Sequence, residues 1–237
     1  MRKSLTILSQ LAKYNLKIVF ANKFIWFLLA ALILYLLCMF VAVYNGADAD
    51  EKLVYSLLIF PAILLIFYPT TFGIQNDYDN RILEILFGIP NYRYKVWLIR
   101  LAMSYVAIFV LLLLFSLMTS YLLCPTDVFG MTIQIMFPLF FLGNMTFWLS
   151  TITRSGNATA IIMIILGIIL TFMGTKNNGI GNTVWDVFIN PFHANNQINP
   201  VVWANTLMKN RLYLTIGAVV LLIGGILNLQ RREKFIG

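Results

Sequence analysis

The sequence has few of the side chains on which enzymes and ion-coupled carriers depend. Its 237 residues include one histidine, two cysteines and nine aspartates and glutamates. It contains no HExxH, Walker A or CxxC pattern, the arrangements that hold catalytic zinc, nucleotide phosphates and reactive dithiols. His193 is therefore interpreted as a loop residue. We expect no catalytic residue, no metal site and no cofactor within this chain, which makes it a non-enzyme.

Charge is equally sparse, since charged residues make up 11% of the chain and hydrophobic residues 60%. A soluble domain carries roughly 25% charged residues, so this composition is typical of a protein built for lipid. Six apolar segments approach or exceed the roughly 20 residues that cross a bilayer. They are about Phe24–Tyr44, Leu53–Gln75, Val96–Leu123, Gly130–Thr151, Asn157–Thr175 and Arg211–Leu229. We predict an all-α membrane protein with six transmembrane helices in one membrane domain, residues 24–229.

The basic residues predict the orientation of these spans. If the N-terminus is cytoplasmic, only Lys52, Lys176, Lys209 and Arg211 of the 17 basic residues fall on the outer side. This bias is the one that the positive-inside rule describes. We therefore predict a multi-pass protein of a prokaryotic plasma membrane with both termini cytoplasmic, including the tail 230–237. Because no basic stripe lies away from the membrane flanks, we expect no nucleic-acid partner.

Residues 1–23 form an amphipathic stretch with lysines beside an apolar stripe. The stripe consists of Leu5, Leu8, Leu11, Leu16, Val19 and Phe20. Such a pattern predicts an interfacial helix on the cytoplasmic leaflet, in contact with membrane lipid, and is compatible with a helix that simply leads into the first span. Cys38 and Cys124 are interpreted either as apolar fillers or as a disulfide pair. Residues 176–210 are predicted to form a long outer loop that is rich in aromatic side chains.

No ionisable side chain lies in the middle of a predicted span. Ion-coupled transporters usually need such buried groups, and intramembrane enzymes need a nucleophile with a base or a metal. Their absence counts against both classes, so active transport by this chain would need energy from another protein.

One charged segment interrupts the apolar sequence between the second and third spans. Its charged and apolar residues recur at helical spacing on nearly opposite faces. The charged face is Asp77, Arg81 and Glu84, and the apolar face is Ile82, Ile85, Leu86 and Ile89. Asn76 or Asp77 can cap this helix, and Gly88 and Pro90 end it. We predict a short cytoplasmic helix over about 76–90 that docks on a soluble partner.

The same segment resembles the permease subunit of ABC-2 type ABC transporters. Members of that family carry an acidic pair, then glycine-threonine-leucine-glutamate, a proline six residues after the glutamate and a lysine ten beyond. Here the matching residues are Asp77 and Asp79, Leu83-Glu84, Pro90 and Arg100, whereas Arg81-Ile82 stands in place of glycine-threonine. The amphipathic N-terminus, the predicted six spans, Asn190-Pro191 and Arg232-Glu233 extend the resemblance over nearly the whole chain.

The resemblance implies a type V exporter-like permease that forms half of a translocation pathway. Its implied partners are a nucleotide-binding ABC ATPase subunit, which would hold the ATP and Mg, and a second permease subunit in a homo- or heterodimer. The implied ATPase-coupling residues are Asp77, Asp79, Arg81, Ile82, Glu84, Ile85 and Pro90. The implied pathway-lining residues are Phe60, Phe67, Thr71, Asn157, Thr159 and Met163. The alternatives are a non-transporting membrane scaffold or immunity protein and, less favoured, an intramembrane lipid-modifying enzyme.

Overall fold

The computed structural model describes residues 24–46, 48–79, 93–175, 184–193 and 199–229. Within these ranges it contains helices and no strand. The helices are α1 Phe24–Tyr44, α2 Glu51–Asp79, α3 Ile99–Leu122, α4 Val128–Thr153, α5 Gly156–Thr175 and α6 Pro200–Asn228, and a π-helical segment Arg93–Leu98 precedes α3. The prediction of an all-α protein is confirmed. The predicted N-terminal helix 1–23 and the tail 230–237 lie outside the described residues.

Five of the helices, α1, α2, α3, α4 and α6, are long and apolar enough to cross a membrane. This supports the prediction of a multi-pass membrane protein. In α5 the apolar stretch Gly156–Phe172 is shorter, so a sixth span stays a prediction. The helices alternate in direction and define two ends of a bundle. We call the end that holds residues 45–46, 48–50, 123–127 and 184–193 the loop end.

The last helix begins earlier than the sequence predicted. The sixth span was expected from Arg211, and 176–210 was expected to be loop, but α6 starts at Pro200. The side chain of Asn199 accepts a hydrogen bond of 2.9 Å from the backbone N–H of Val201. Proline at the first helical position costs nothing, because its missing N–H has no intrahelical partner there. These two local signals start the helix before its apolar span begins.

Helix α2 lies at the centre of the bundle and α1 at its edge. In α2, 61% of the span is buried, against 11% in α1. Helix α2 contacts α1, α3, α4 and α5, and its inner residues join one apolar core. The core includes Tyr35, Leu58, Leu65, Ile108, Leu112 and Ile135. Cys38 and Cys124 are both free thiols, and Cys124 packs against this core.

Helices α4 and α6 run parallel along most of their length. Arg211 Nε donates to Gln134 Oε1 at 3.0 Å, and Asn228 Nδ2 donates to the carbonyl oxygen of Thr151 at 2.8 Å, both across 77 positions of sequence. Between these bonds, glycines of α6 face aromatic rings of α4, which lets the two backbones approach closely. The contacting pairs are Gly217 with Phe141, Gly224 with Trp148 and Gly225 with Phe147.

Candidate functional site

A long apolar groove opens between α2 and α5 at the loop end. Its volume is about 780 Å³, within the size range of small-molecule sites. Aliphatic and aromatic side chains of both helices line it, and α1, α4 and the 184–193 segment complete its walls. The lining includes Phe60, Ile63, Phe67, Leu142, Met163, Ile164, Ile168 and Phe172. Polar atoms in the lining come mostly from the loop end, at Tyr55, Ser56 and Asn190.

The groove exists because α5 packs loosely. Three of its isoleucines, Ile161, Ile164 and Ile168, are more than half exposed, and the helix packs mainly on α2 and α4. Ile164 and Ile168 are exposed because the groove that they line is open. At Gly167 the missing side chain leaves open space, since an added Cβ would meet no atom within 4 Å. Phe60 of α2, which also lines the groove, is 61% exposed. The groove is therefore open sideways, toward the surroundings of the helices.

The structure brings three of the six predicted pathway residues into this groove: Phe60, Phe67 and Met163. The other three lie toward the opposite end of the bundle. Thr71 is fully buried and its carbonyl oxygen accepts a hydrogen bond from Ser150. Thr159 is also buried and bonds within the α4–α5 turn, while Asn157 is exposed. The three predicted pathway residues that lie in the groove therefore all have aromatic or thioether side chains.

The predicted docking helix lies mostly outside the described residues. Helix α2 continues beyond the predicted end of its span at Gln75, and its last turn contains the backbone of Asp77 and Asp79. The remaining predicted coupling residues, Arg81, Ile82, Glu84, Ile85 and Pro90, fall in the range 80–92 that the structure does not describe. The chain re-enters the bundle as the π-helical segment Arg93–Leu98.

A small cavity of about 30 Å³ lies beside this re-entry point, between α2 and α3. Its walls include Gly73, Trp97 and Ser104. The guanidinium carbon of Arg100 stands 5.2 Å from the centre of the Trp97 ring, a cation–π contact. Because Trp97 is 3% exposed, its buried ring anchors the start of α3 in the bundle.

A buried arginine at the loop end is the main polar feature that the sequence did not predict. Arg211 was placed at the outer end of the sixth span, but it is 7% exposed and lies inside the bundle. Besides Gln134, its guanidinium donates to Asn210 Oδ1 at 3.2 Å and lies 5.5 Å from the centre of the Phe137 ring. The Tyr55 hydroxyl lies against it, although neither that hydroxyl nor Nη2 of Arg211 makes a hydrogen bond of ordinary geometry.

The carboxylate of Asp186 provides the opposite charge for this arginine. Burial raises the pKa of Asp186, and the backbone N–H of Phe188 together with the positive charge of Arg211 partly offsets that rise. The hydrogen bond from Phe188 to Asp186 Oδ1 is 2.9 Å long. An arginine inside a membrane domain is costly unless hydrogen bonds and a carboxylate compensate it, so this cluster ties the loop end together. Gln134, which together with Asn144 interrupts the apolar fourth span, was the signal that could have revealed it.

Other polar contacts hold the 184–193 segment to the bundle. Asn210 Nδ2 donates to two carbonyl oxygens of the segment, both at 2.8 Å. Asn190 Nδ2 donates to the carbonyl oxygen of Lys52 at 2.9 Å. The indole N–H of Trp203 donates to a further backbone oxygen of the segment. These bonds join the segment to both α6 and α2, so it covers the loop end of the groove as an ordered element.

The described residues contain no group of three or more metal-ligating side chains. No family model matches the chain, and no curated protein or solved structure matches it either.

Proposed function

We propose that this chain is the permease subunit of an ATP-driven ABC exporter. It would form half of a translocation pathway and couple to a separate nucleotide-binding subunit. The proposal rests on the apolar groove between α2 and α5. Helix α2, which forms one wall of this groove, also continues directly into the segment predicted to dock on the ATPase. One helix therefore joins the candidate coupling residues to the candidate pathway.

The route for coupling runs along α2. This helix contains two internal prolines, Pro61 and Pro69, and each removes a backbone hydrogen bond from the helix interior. Pro61 falls within the stretch of α2 that lines the groove. A displacement of residues 77–90 by a moving partner would bend α2 at these points and change the width of the groove. In this proposal Phe60, Phe67 and Met163 line the pathway.

The proposed assembly needs two further proteins. ATP and Mg would bind to the ABC ATPase subunit, which contacts Asp77, Asp79, Arg81, Ile82, Glu84, Ile85 and Pro90. A second permease subunit would complete the pathway, in a homo- or heterodimer. Helix α5, with 20 residues, would be about 30 Å long and would thereby form the sixth span. Both termini would then be cytoplasmic in a cell membrane.

The test is recovery of the partner from native membranes. The chain is purified in mild detergent and the bound proteins are identified by mass spectrometry. We expect a subunit with a Walker motif to accompany the wild type. Glu84→Lys and Ile85→Asp should abolish that association without loss of membrane insertion. As a matched charge reversal at the loop end, Asp48→Lys should retain it.

Two outcomes would contradict the proposal. If no Walker-motif subunit accompanies the wild-type chain, transport driven by an ABC ATPase is wrong and the scaffold alternative gains. If the subunit accompanies Glu84→Lys and Ile85→Asp as well as the wild type, the docking residues are wrong even though the partner is right.

A further inference from the structure

The groove between α2 and α5 has the depth of one leaflet of a bilayer. Its α2 wall runs from Tyr55 to Phe67, which corresponds to about 18 Å of helix. Its α5 wall runs from Met163 to Phe172, about 14 Å. Half of a hydrocarbon core is about 15 Å thick. Both walls begin at the loop end and stop near the expected middle of the membrane.

The interior of the groove suits an acyl chain. Within the depth of the groove the lining is mostly hydrocarbon and aromatic, with Ile63, Phe67 and Ile168 as typical members. The hydroxyls of Thr146 and Thr171 each donate to a carbonyl oxygen of their own helix. The gap at Gly167 deepens the middle of the α5 wall. Because the groove is open sideways, a lipid acyl chain could enter it from the bilayer without passing through the core of the protein.

The mouth of the groove suits a phosphate. Lys52 lies one helical turn above Ser56, and positions 52, 56, 59 and 63 share one face of α2. Lys52 and Ser56 are exposed, and Asn190 Nδ2 lies 3.3 Å from Ser56 Oγ. The hydroxyl of Ser56 donates to the carbonyl oxygen of Lys52 at 3.0 Å, and Asn190 Nδ2 donates to that oxygen and to Ser56 Oγ. The exposed Lys52 therefore carries the donor that a phosphate at the top of the groove would use. The neighbouring carboxylates Asp50 and Glu51 are exposed as well, and Asp50 Oδ1 accepts the N–H of Leu53.

We propose that this groove binds one phospholipid of the leaflet at the loop end, with an acyl chain along α2 and α5 and the phosphate at Lys52. The site does not depend on an ATPase or on a second subunit, so it goes beyond the proposed function. Lipid bound there would hold α5 apart from α2 and keep the groove open.

The experiment measures lipid bound to the purified full-length chain. Delipidated protein in detergent is titrated with dioleoylphosphatidylethanolamine, and the bound lipid is counted by native mass spectrometry. We expect one lipid per chain to bind the wild type most tightly. Gly167→Phe should lose it, because the added ring occupies the groove. Ile165→Phe, on the same helix but not in the lining, should keep it. Gel filtration checks that both variants remain folded.

A second comparison tests the headgroup. Lys52→Gln should weaken binding of the phospholipid about fivefold, the effect of one basic residue near a lipid headgroup. It should leave binding of dioleoylglycerol, which has no phosphate, unchanged. Lys209→Gln, a change of another exposed lysine of the chain, serves as the control.

Three results would overturn the proposal. Equal lipid binding by Gly167→Phe and the wild type would exclude the groove as the site. Equal weakening of both lipids by Lys52→Gln would exclude the phosphate contact. A wild-type dimer without lipid, converted to a monomer by Gly167→Phe, would show that a second copy of the chain covers the groove instead.

Discussion

The side-chain oxygen Oε1 of Gln75 accepts a hydrogen bond of 2.5 Å from the backbone N–H of Gly156. The first N–H groups of a helix have no intrahelical partner, and Gln75 supplies one for the start of α5. The bond spans 81 positions of sequence and joins the two helices that border the groove. It lies at the end of the bundle opposite the mouth of the groove, so α2 and α5 are clamped at one end and separated at the other.

Gly156→Ala should destabilise the protein by about 1–3 kcal/mol, the usual cost of overpacking. An added Cβ would lie 2.7 Å from Gln75 Oε1 and closer still to Cδ1 of Phe72. Gly167→Ala, on the same helix, is the control, because its Cβ meets nothing within 4 Å. Thermal unfolding of both variants in detergent measures the difference. Equal stability of the two would contradict the clamp.

Gln134→Leu should cost about 1–3 kcal/mol, because it removes an acceptor from a buried guanidinium. Arg211→Met combined with Gln134→Leu should cost less than the sum of the single changes, since the charge that needs the acceptor is also gone. A double-mutant cycle in unfolding free energy gives the coupling, expected at about 0.5–3 kcal/mol. Strictly additive effects would show that the 3.0 Å hydrogen bond contributes no stability.

The protein should become more stable as the pH falls from neutral toward the ordinary Asp pKa of 3.8. Because burial raises the pKa of Asp186 in the folded state, the folded form takes up a proton at a higher pH than the unfolded form does. This stabilisation is present at low pH and is lost as the pH rises through the folded pKa. The charged residue that faces Asp186 is Arg211, which keeps its charge throughout.

Asp186→Asn keeps an acceptor for the N–H of Phe188 and removes the titration, so its stability should vary less with pH. Thermal unfolding from pH 4 to 8 tests this, followed by the tryptophan fluorescence of the whole chain. Trp185 contributes to this signal from beside Asp186, where its indole stacks on Tyr213 at 4.6 Å. The exposed Asp48→Asn controls for general charge effects. An unchanged pH profile in Asp186→Asn would contradict the assignment.

Gly225→Ala should destabilise the α4–α6 contact more than Gly224→Ala does. At Gly225 the added Cβ would lie 2.7 Å from Cε1 of Phe147, a ring that is itself buried. At Gly224 it would lie 3.1 Å from Nε1 of Trp148, a half-buried side chain that can shift. We expect about 1–3 kcal/mol for the first change, measured by unfolding in detergent. A larger loss of stability in Gly224→Ala than in Gly225→Ala would indicate that α4 and α6 separate easily at Phe147.

Hydropathy was sufficient to predict where most helices lie, because a bilayer demands about 20 apolar residues in a row. The first helix was predicted with the bounds that the structure shows, Phe24–Tyr44. The start of α6 was missed because its first turns are more polar and are stabilised by a local cap at Asn199. A hydropathy window does not register such a cap.

Contacts between helices could not be predicted in the same way. Gln75 with Gly156 and Arg211 with Gln134 are partners 81 and 77 residues apart, and periodicity in a nearly uniform apolar helix does not reveal which face meets which neighbour. Of the six pathway residues that the resemblance implied, Phe60, Phe67 and Met163 line the groove between α2 and α5. The docking residues 81–90 stay a prediction.

The parallel pairing of α4 and α6 has a consequence for synthesis of the protein. A ribosome that adds about 5–20 residues per second needs roughly 4–15 s to make the 77 residues that separate Gln134 from Arg211. During that interval α4 has no α6 to cover its polar side chains. Gln134, whose partner Arg211 lies on α6, would spend these seconds beside lipid or an insertion factor. Folding of the membrane domain therefore has to wait for α6.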